Sequence, residues 1–366
     1  MAINYADKHA QQIDERFTAG SITEAVVNKD YDFVGVKTVK VHSVPTVALN
    51  DYKRTGSNRY GEPAELEDAL QEMTMTQDKS FTFTVDKGNS ADDPALNAGK
   101  ALQREIDEVI IPTVDKYRLA VMAAHAKHRT YGNITKTTAY EAFLDVNALI
   151  DDDLVPTQGR VAVVSSAYYK LLKQDSNFVK SSDLGMRTLI TGQLGEVDGV
   201  PIVKDLGRLP VGVSFMIAHP SATTAPHKLS EYKVHEDPPG LSGALVEGRD
   251  YYDAFVLNNK ACAIGVRIGK LLTLTVTNEA GTSGKTRFTA VSGYDPAQGT
   301  LVYQLGASVA APELGADISD TETYPELTLG MEIAASSGDK YIVALKGPDG
   351  CCIGTSGAAA TAAVGA

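Results

Sequence analysis

Several short stretches of this 366-residue chain hold residues of types that could do chemistry. "GQLGEVDGVPIVKD" places Gly192, Gly195 and Gly199 close together, as a phosphate cradle would. Glycines suit that task because backbone N–H groups then reach an anion with no Cβ in the way, but the cradle also needs a helix opening directly after it. Gly199 leads instead into "VPIVKD", a β-branched run with a proline, so the glycines predict turns between short strands. "EAGTSGKTRF" puts Gly284, Lys285 and Thr286 in phosphate-loop order. The first glycine of that motif is replaced by Glu279, whose carboxylate repels phosphate, and a strand sequence comes after it.

His125 and His128 stand three apart where a helix should end, yet no carboxylate or cysteine is spaced to complete a three-ligand metal site. Asp151, Asp152 and Asp153 lack the alternating oxygens and closing glutamate of a calcium loop. Ser165 and Ser166 show no nucleophile-elbow spacing. Cys262, Cys351 and Cys352 form neither a Cys-x-x-Cys pair nor an even disulfide framework. These observations point away from an enzyme, a cofactor or a metal.

Composition narrows the classes further. A charge of −12, from 34 basic and 46 acidic residues with no basic block, disfavours tight gripping of phosphate backbones. No window approaches the length of apolar sequence that a membrane helix needs. The opening "MAINYADKHAQQIDERF" is polar and lacks the apolar run of a secretory signal.

The elements that would position these residues have a distinctive order. Residues 1–33 read as a polar arm. "FVGVKTVKVHSV" and "SFTFTVD" alternate as strands around a polar excursion of about thirty residues, the pattern of a long hairpin over 34–90 whose tip carries Lys53, Arg54 and Arg59. Asp93 and Pro94 open a helix over 91–132. Its apolar stripe runs through Leu102, Ile106, Ile110, Val114, Tyr117, Val121 and Ala124, and Pro112 should bend it. Residues 133–267 mix helices and short strands. After about Lys270 the composition shifts to Gly, Thr, Ala and Ser with strict alternation at Leu272, Leu274 and Val276, which predicts a small antiparallel β-sandwich or barrel over 268–353. The small-sided tail 354–366 is expected to be mobile.

That order resembles the major capsid protein of tailed bacteriophages, with the Hong Kong 97-type fold. "DDPALNAGKALQREIDEVIIPTVDKYRLAVMAAHA" looks like the family's spine helix in its peripheral domain. "DDLVPTQGRVAVVSSAYYKLL" is similar to the axial domain's helix–strand–helix, and "SDLGMRTLITGQLGEVDGVPIVKDLGRLPVGVSFMIAHPSA" to its glycine-punctuated strands. The resemblance covers about residues 34–267. It implies an α+β capsid subunit with an N-terminal arm, an extended loop, a spine helix and an axial domain, to which this chain adds a C-terminal all-β domain. It implies a structural protein of the virion that assembles in the host cytoplasm into the hexamers and pentamers of an icosahedral shell. That shell would enclose double-stranded DNA without binding it specifically, with a portal, with a separate scaffolding protein or none, and with no membrane. Lys53, Arg54 and Arg59 become intersubunit loop contacts, and Gly192, Gly195 and Gly199 axial-domain turns. Some members cross-link a loop lysine to an asparagine. Lys53 with Asn258 or Asn259 would take those roles, but no spacing marks the assisting glutamate. A cellular nanocompartment shell shares the fold and is the alternative; a bacterial surface β-domain protein is another.

Overall fold

The computed structural model describes residues 20–365, apart from 32, 34–36, 44–46, 63–64, 66–67, 89–97, 177, 179–194 and 241. Gly192, Asp93 and Pro94 therefore lie outside the described residues. Strand β1 (Thr38–Ser43) pairs antiparallel with β2 (Ala69–Thr74), so the strand that closes the long hairpin is "ALQEMT". The "SFTFTVD" strand, β3 (Gln77–Asp86), departs from the expected hairpin and joins a different sheet.

The long helix comes in three pieces, α1 (Ala98–Glu105), a π-helical turn (Ile106–Ile110) and α2 (Ile111–His125), and it stops short of the expected residue 132 because His128–Tyr131 pair as a strand with Gly265–Ile268. The wide turn sits just before Pro112. Proline cannot donate to the Glu108 carbonyl and its ring crowds it, so a wider turn relieves the clash. Within that turn the Ile111 N–H reaches back to the Ile106 carbonyl, and the Thr113 hydroxyl donates to the Val109 carbonyl at 2.6 Å. The extra residue in a π turn rotates everything after it by about 100°. In α2 the buried face is consequently Val114, Asp115, Arg118, Leu119, Met122 and Ala123, while Tyr117, Val121 and Ala124 of the expected stripe are only half-buried.

Next come β4 (His128–Tyr131), α3 (Ala139–Asp152), β5 (Val161–Val164), α4 (Ser166–Gln174), β6 (Glu196–Val197), β7 (Val200–Lys204), β8 (Val213–Ala218), β9 (Thr223–Thr224), β10 (His227–Glu236), β11 (Gly243–Tyr252), β12 (Phe255–Val256) and β13 (Ile264–Ile268). A mixed six-stranded sheet in the order β4-β13-β8-β5-β7-β6 carries α3 and α4, with Phe143, Val146, Ile150, Tyr168 and Leu172 buried around Phe215 and Ile217. A second sheet, β10-β11-β3, has ten-residue strands, and β10 and β3 are largely exposed.

The C-terminal region is all-β beyond one 3-10 turn (Pro296–Gln298). It holds β14 (Leu272–Thr273), β15 (Thr275–Ala280), β16 (Lys285–Ser292), β17 (Thr300–Gly306), β18 (Glu332–Ala334), β19 (Lys340–Lys346), β20 (Cys352–Thr355) and β21 (Ala360–Thr361). These form one sheet of β14-β20-β19-β17 with β21 on β19, and another of β15-β16-β18. The tail expected to be mobile is paired instead: Ala360 and Thr361 lie against Tyr341 and Lys340, and the Gly365 N–H donates to the Lys285 carbonyl. Small side chains suffice there because backbone hydrogen bonds supply the contact.

Phe288, Leu301, Tyr341 and Val343 of this region share one hydrophobic cluster with Leu119, Met122 and Val266. The C-terminal β region thus shares one core with the rest of the described residues.

Candidate assembly surfaces

Most of the described residues that suggested chemistry are occupied with holding the fold. Asp198 (φ +51) and Gly199 (φ +74) are the two central residues of a tight turn that pairs Val197 with Val200. Both in the left-handed region make the hairpin turn whose twist matches its flanking strands. The Asn147 amide donates to Asp198 Oδ2 at 2.8 Å, and Arg160 Nη1 donates to Asn147 Oδ1 at 2.6 Å, pinning the turn to α3. Gly195 contributes its carbonyl to the Ile202 N–H. A strand, not a helix, comes after the turn.

Residues 281–284 form the turn between β15 and β16, and Lys285 pairs with Glu332 at 3.3 Å. His125 Nδ1 sits 2.9 Å from the Val121 carbonyl, whereas His128 and Lys127 both face Asp153, at 2.7 and 2.6 Å. The Lys127 ammonium beside it holds the Asp153 carboxyl below its usual range. Asp151 pairs with Arg160 at 2.7 Å. Ser165 caps α4 by accepting from the Tyr168 N–H at 3.2 Å. Burial pushes the Cys352 thiol up to about 11, which leaves it protonated and a poor ligand. Among the described residues no three His, Cys, Asp or Glu side chains are grouped to hold a metal, and no helix is long and apolar enough to cross a membrane.

What the molecule does present is projecting surface. Between β1 and β2, residues 47–62 fold into a small bent tip, with Gly56, Asn58 and Gly61 in the left-handed region. The Lys53 N–H donates to the Arg59 carbonyl at 3.0 Å, and the rings of Tyr52 and Tyr60 meet edge to face at 5.1 Å. Lys53, Arg54 and Arg59 are all exposed beside Leu49 and Tyr60, which are 101% and 85% exposed. The tip sets apolar side chains beside three cations and two carboxylates, Asp51 and Glu62, a slight positive excess on a chain that is acidic overall. The hairpin base is held firmly. Gln71 donates to the Val256 carbonyl at 2.8 Å and accepts from the Asn258 N–H at 3.0 Å, and Phe33 stacks on Phe255 above Met73, Met75 and Leu257. Asn258 and Asn259 therefore sit at the hairpin's base, while Lys53 lies in its tip.

One cluster escaped the sequence patterns. Asp115 is buried on α2 and accepts from Ser21 Oγ (2.7 Å), the Ile22 N–H (2.9 Å) and Thr23 Oγ1 (2.5 Å) while pairing with Arg208. Arg118, also buried, reaches Glu24 at 2.9 Å. Burial raises the Glu24 pKa, but hydrogen bonds from Arg118 and Lys29 outweigh it and hold the carboxyl below its usual range. Val26 and Val27 then enter the core, so the expected arm is already packed chain between Ser21 and Asn28. The available signal was an Asp and an Arg three apart on the helix face beside the apolar stripe.

The fold is that of bacteriophage capsid structures. A chain from Mycobacterium phage Che8 superimposes with a TM-score of 0.62 at 19% identity, over 72% of this chain and 96% of that one. The capsid structure of the cyanophage P-SCSP1u gives 0.60 at 12% identity, over 72% and 92%. The mature capsid of bacteriophage PhiM1 gives 0.57 at 11%, over 72% and 91%. No family model matches the sequence, and no curated protein matches it.

Proposed function

We propose that this chain is the major capsid protein of a tailed double-stranded DNA bacteriophage, self-assembling into an icosahedral shell with the Hong Kong 97-type arrangement. The observation that carries the reading is the superposition on phage capsid chains over nearly their whole length. The molecule's own physics supports it. A shell subunit needs large shared surfaces, and a long hairpin and a three-stranded sheet with exposed edges supply them without a catalytic pocket. The part of the chain outside the superposition is close in size to the region beyond residue 267, consistent with an added β domain.

In this reading Lys53, Arg54 and Arg59 meet a neighbouring subunit, and the Asp198–Gly199 turn belongs to the axial domain. The acidic balance leaves packaged DNA unbound and free to move. Assembly takes place in the host cytoplasm, with a scaffolding protein and a portal encoded separately.

Negative-stain microscopy of the chain expressed with its genomic neighbours tests this reading. Closed, hollow, uniform shells are expected; subunits that stay monomeric under every such condition overturn it.

A further inference from the structure

Helix α3 ends in a way that is unusual for its sequence. The Leu154 N–H donates to the Asp151 carbonyl at 2.8 Å and the Val155 N–H to the Ile150 carbonyl at 3.4 Å, the paired bonds of a helix terminus closed by a left-handed residue. Glycine normally takes that position because it has no Cβ to collide with the neighbouring carbonyl. Here it is Leu154, at φ +58. Among the described residues the other non-glycine positions with positive φ are Asn58, Asp198 and Asp237, types that tolerate it. Val155 turns inward and packs against two core clusters, while the Leu154 side chain is 91% exposed.

The corner that carries Leu154 is held on both sides. Arg160, buried, pairs with Asp151 and donates to the Val155 and Pro156 carbonyls at 2.6 and 2.9 Å. Asp153 is gripped by Lys127 and His128. A strained backbone and a bare isobutyl group both burden an isolated subunit. Together, on a rigid corner, they suit an interface anchor, because the backbone that carries the side chain is already held and only the side chain's own rotamers are left to order on association.

We propose that Leu154 is a preformed contact knob that becomes buried against a second copy of this chain. The proposal rests on the shell reading, which requires the chain to associate with itself.

The test compares full-length wild type with Leu154→Asn and Leu154→Met. Light scattering and sedimentation give the concentration at which each assembles, and calorimetry gives the Tm of the unassembled subunit. Asparagine suits the left-handed backbone and removes the apolar knob. It should raise the assembly threshold about tenfold or more, the scale expected from one buried leucine, without lowering Tm. Methionine keeps the apolar bulk and should assemble near the wild-type threshold. The proposal falls if Leu154→Asn assembles like wild type, if it lowers the subunit's Tm by several degrees, or if Leu154→Met fares no better than asparagine. Wild type that never assembles overturns the shell reading and this proposal with it, whereas shells formed equally by all three proteins remove only the knob.

Discussion

Asp115 and Arg208 lie 93 positions apart and form a buried ion pair that closes over Gly20–Thr23. Arg208 Nη1 also donates to the Gly20 carbonyl at 2.7 Å, so the pair grips this segment from both sides. Removing one member of a buried pair strands the other charge, at a cost of about 3–5 kcal/mol. Asp115→Ala should reach that range, because it also leaves the Ser21, Ile22 and Thr23 donors without their acceptor. Arg208→Met should cost less, since those three donors still satisfy the carboxylate. The double variant should cost less than the sum of the two. Denaturant unfolding measures the energies, and faster proteolytic cleavage near residues 20–28 in Asp115→Ala reports release of the segment.

The Asp250 carboxylate joins β10 to β11 by accepting from Tyr232 (2.7 Å) and facing His227 Nε2 at 2.8 Å. Burial raises its pKa, but the His227 and Tyr232 bonds outweigh burial and hold it below the ordinary 3.8. A carboxyl depressed by folding stabilises the fold at every pH above its ordinary value, and that stabilisation is lost as pH falls through the depressed range. Tm should therefore fall more steeply below about pH 4 in wild type than in Asp250→Asn. The variant should be weaker by about 1 kcal/mol near neutral pH, where a charge-assisted bond becomes a neutral one. Parallel Tm–pH curves for the two proteins would contradict this assignment.

Gly199 needs its left-handed φ of +74, yet a Cβ there would meet nothing within 4 Å. The cost of substitution is therefore in the backbone and not in packing. Gly199→Val should lose about 2 kcal/mol, since a β-branched residue resists that conformation, and Gly199→Asn under about 1. Thermal melts distinguish the two, and no nucleotide affinity should be present in wild type to lose.

That turn was legible in the sequence because glycine spacing and the strand after it are local signals. The long helix and the C-terminal strands were legible for the same reason, through their periodicity. The face that α2 buries was not: Pro112 was visible as a bend, but the π turn that absorbs it shifts the phase of everything after. Strand β2 was hidden because "ALQEMT" is made of helix-favouring residues, and its pairing to Thr38–Ser43 overrides that preference. The Asp115–Arg208 clamp depends on a long-range contact that no local pattern encodes. Of the projecting tip, its cations were legible, but the tyrosine pair and Leu49 gained meaning only from their exposure.

Reversing the tip charges separates assembly from folding. Lys53, Arg54 and Arg59 are exposed, and the Lys53 and Arg54 side chains make no ion pair among the described residues. The triple change to Glu should leave Tm within about 1–2 °C, as exposed substitutions move stability by under about 0.5 kcal/mol. With the tip docked on an acidic neighbour, the same variant should fail to form shells at low salt and recover in part as added salt screens the new repulsion. Unaltered shell formation would remove these three residues from the interface.

Phe288 tests whether the C-terminal β region is an appendage or part of the core. Its ring is fully buried, meets Tyr341 edge to face at 5.0 Å and lies 6.2 Å from Tyr303. The cluster that holds it extends without a break to Leu119 and Met122 on α2 and to Val266 on β13. Two polar links reinforce the junction: the Tyr131 hydroxyl donates to Asp349 at 2.5 Å, and Gln298 donates to the Val211 carbonyl at 2.9 Å. Burial and the neighbouring Asp349 carboxylate push the Tyr131 pKa well above its usual value, so the hydroxyl stays a donor across the neutral range. Because the core is continuous, Phe288→Ala should cost about 3–5 kcal/mol and lower one shared unfolding transition. An independent appendage would instead give two calorimetric transitions, with only the smaller one moved by the substitution. A chain ending at residue 269 should likewise aggregate, because it would expose the α2 and β13 faces that the β region now covers.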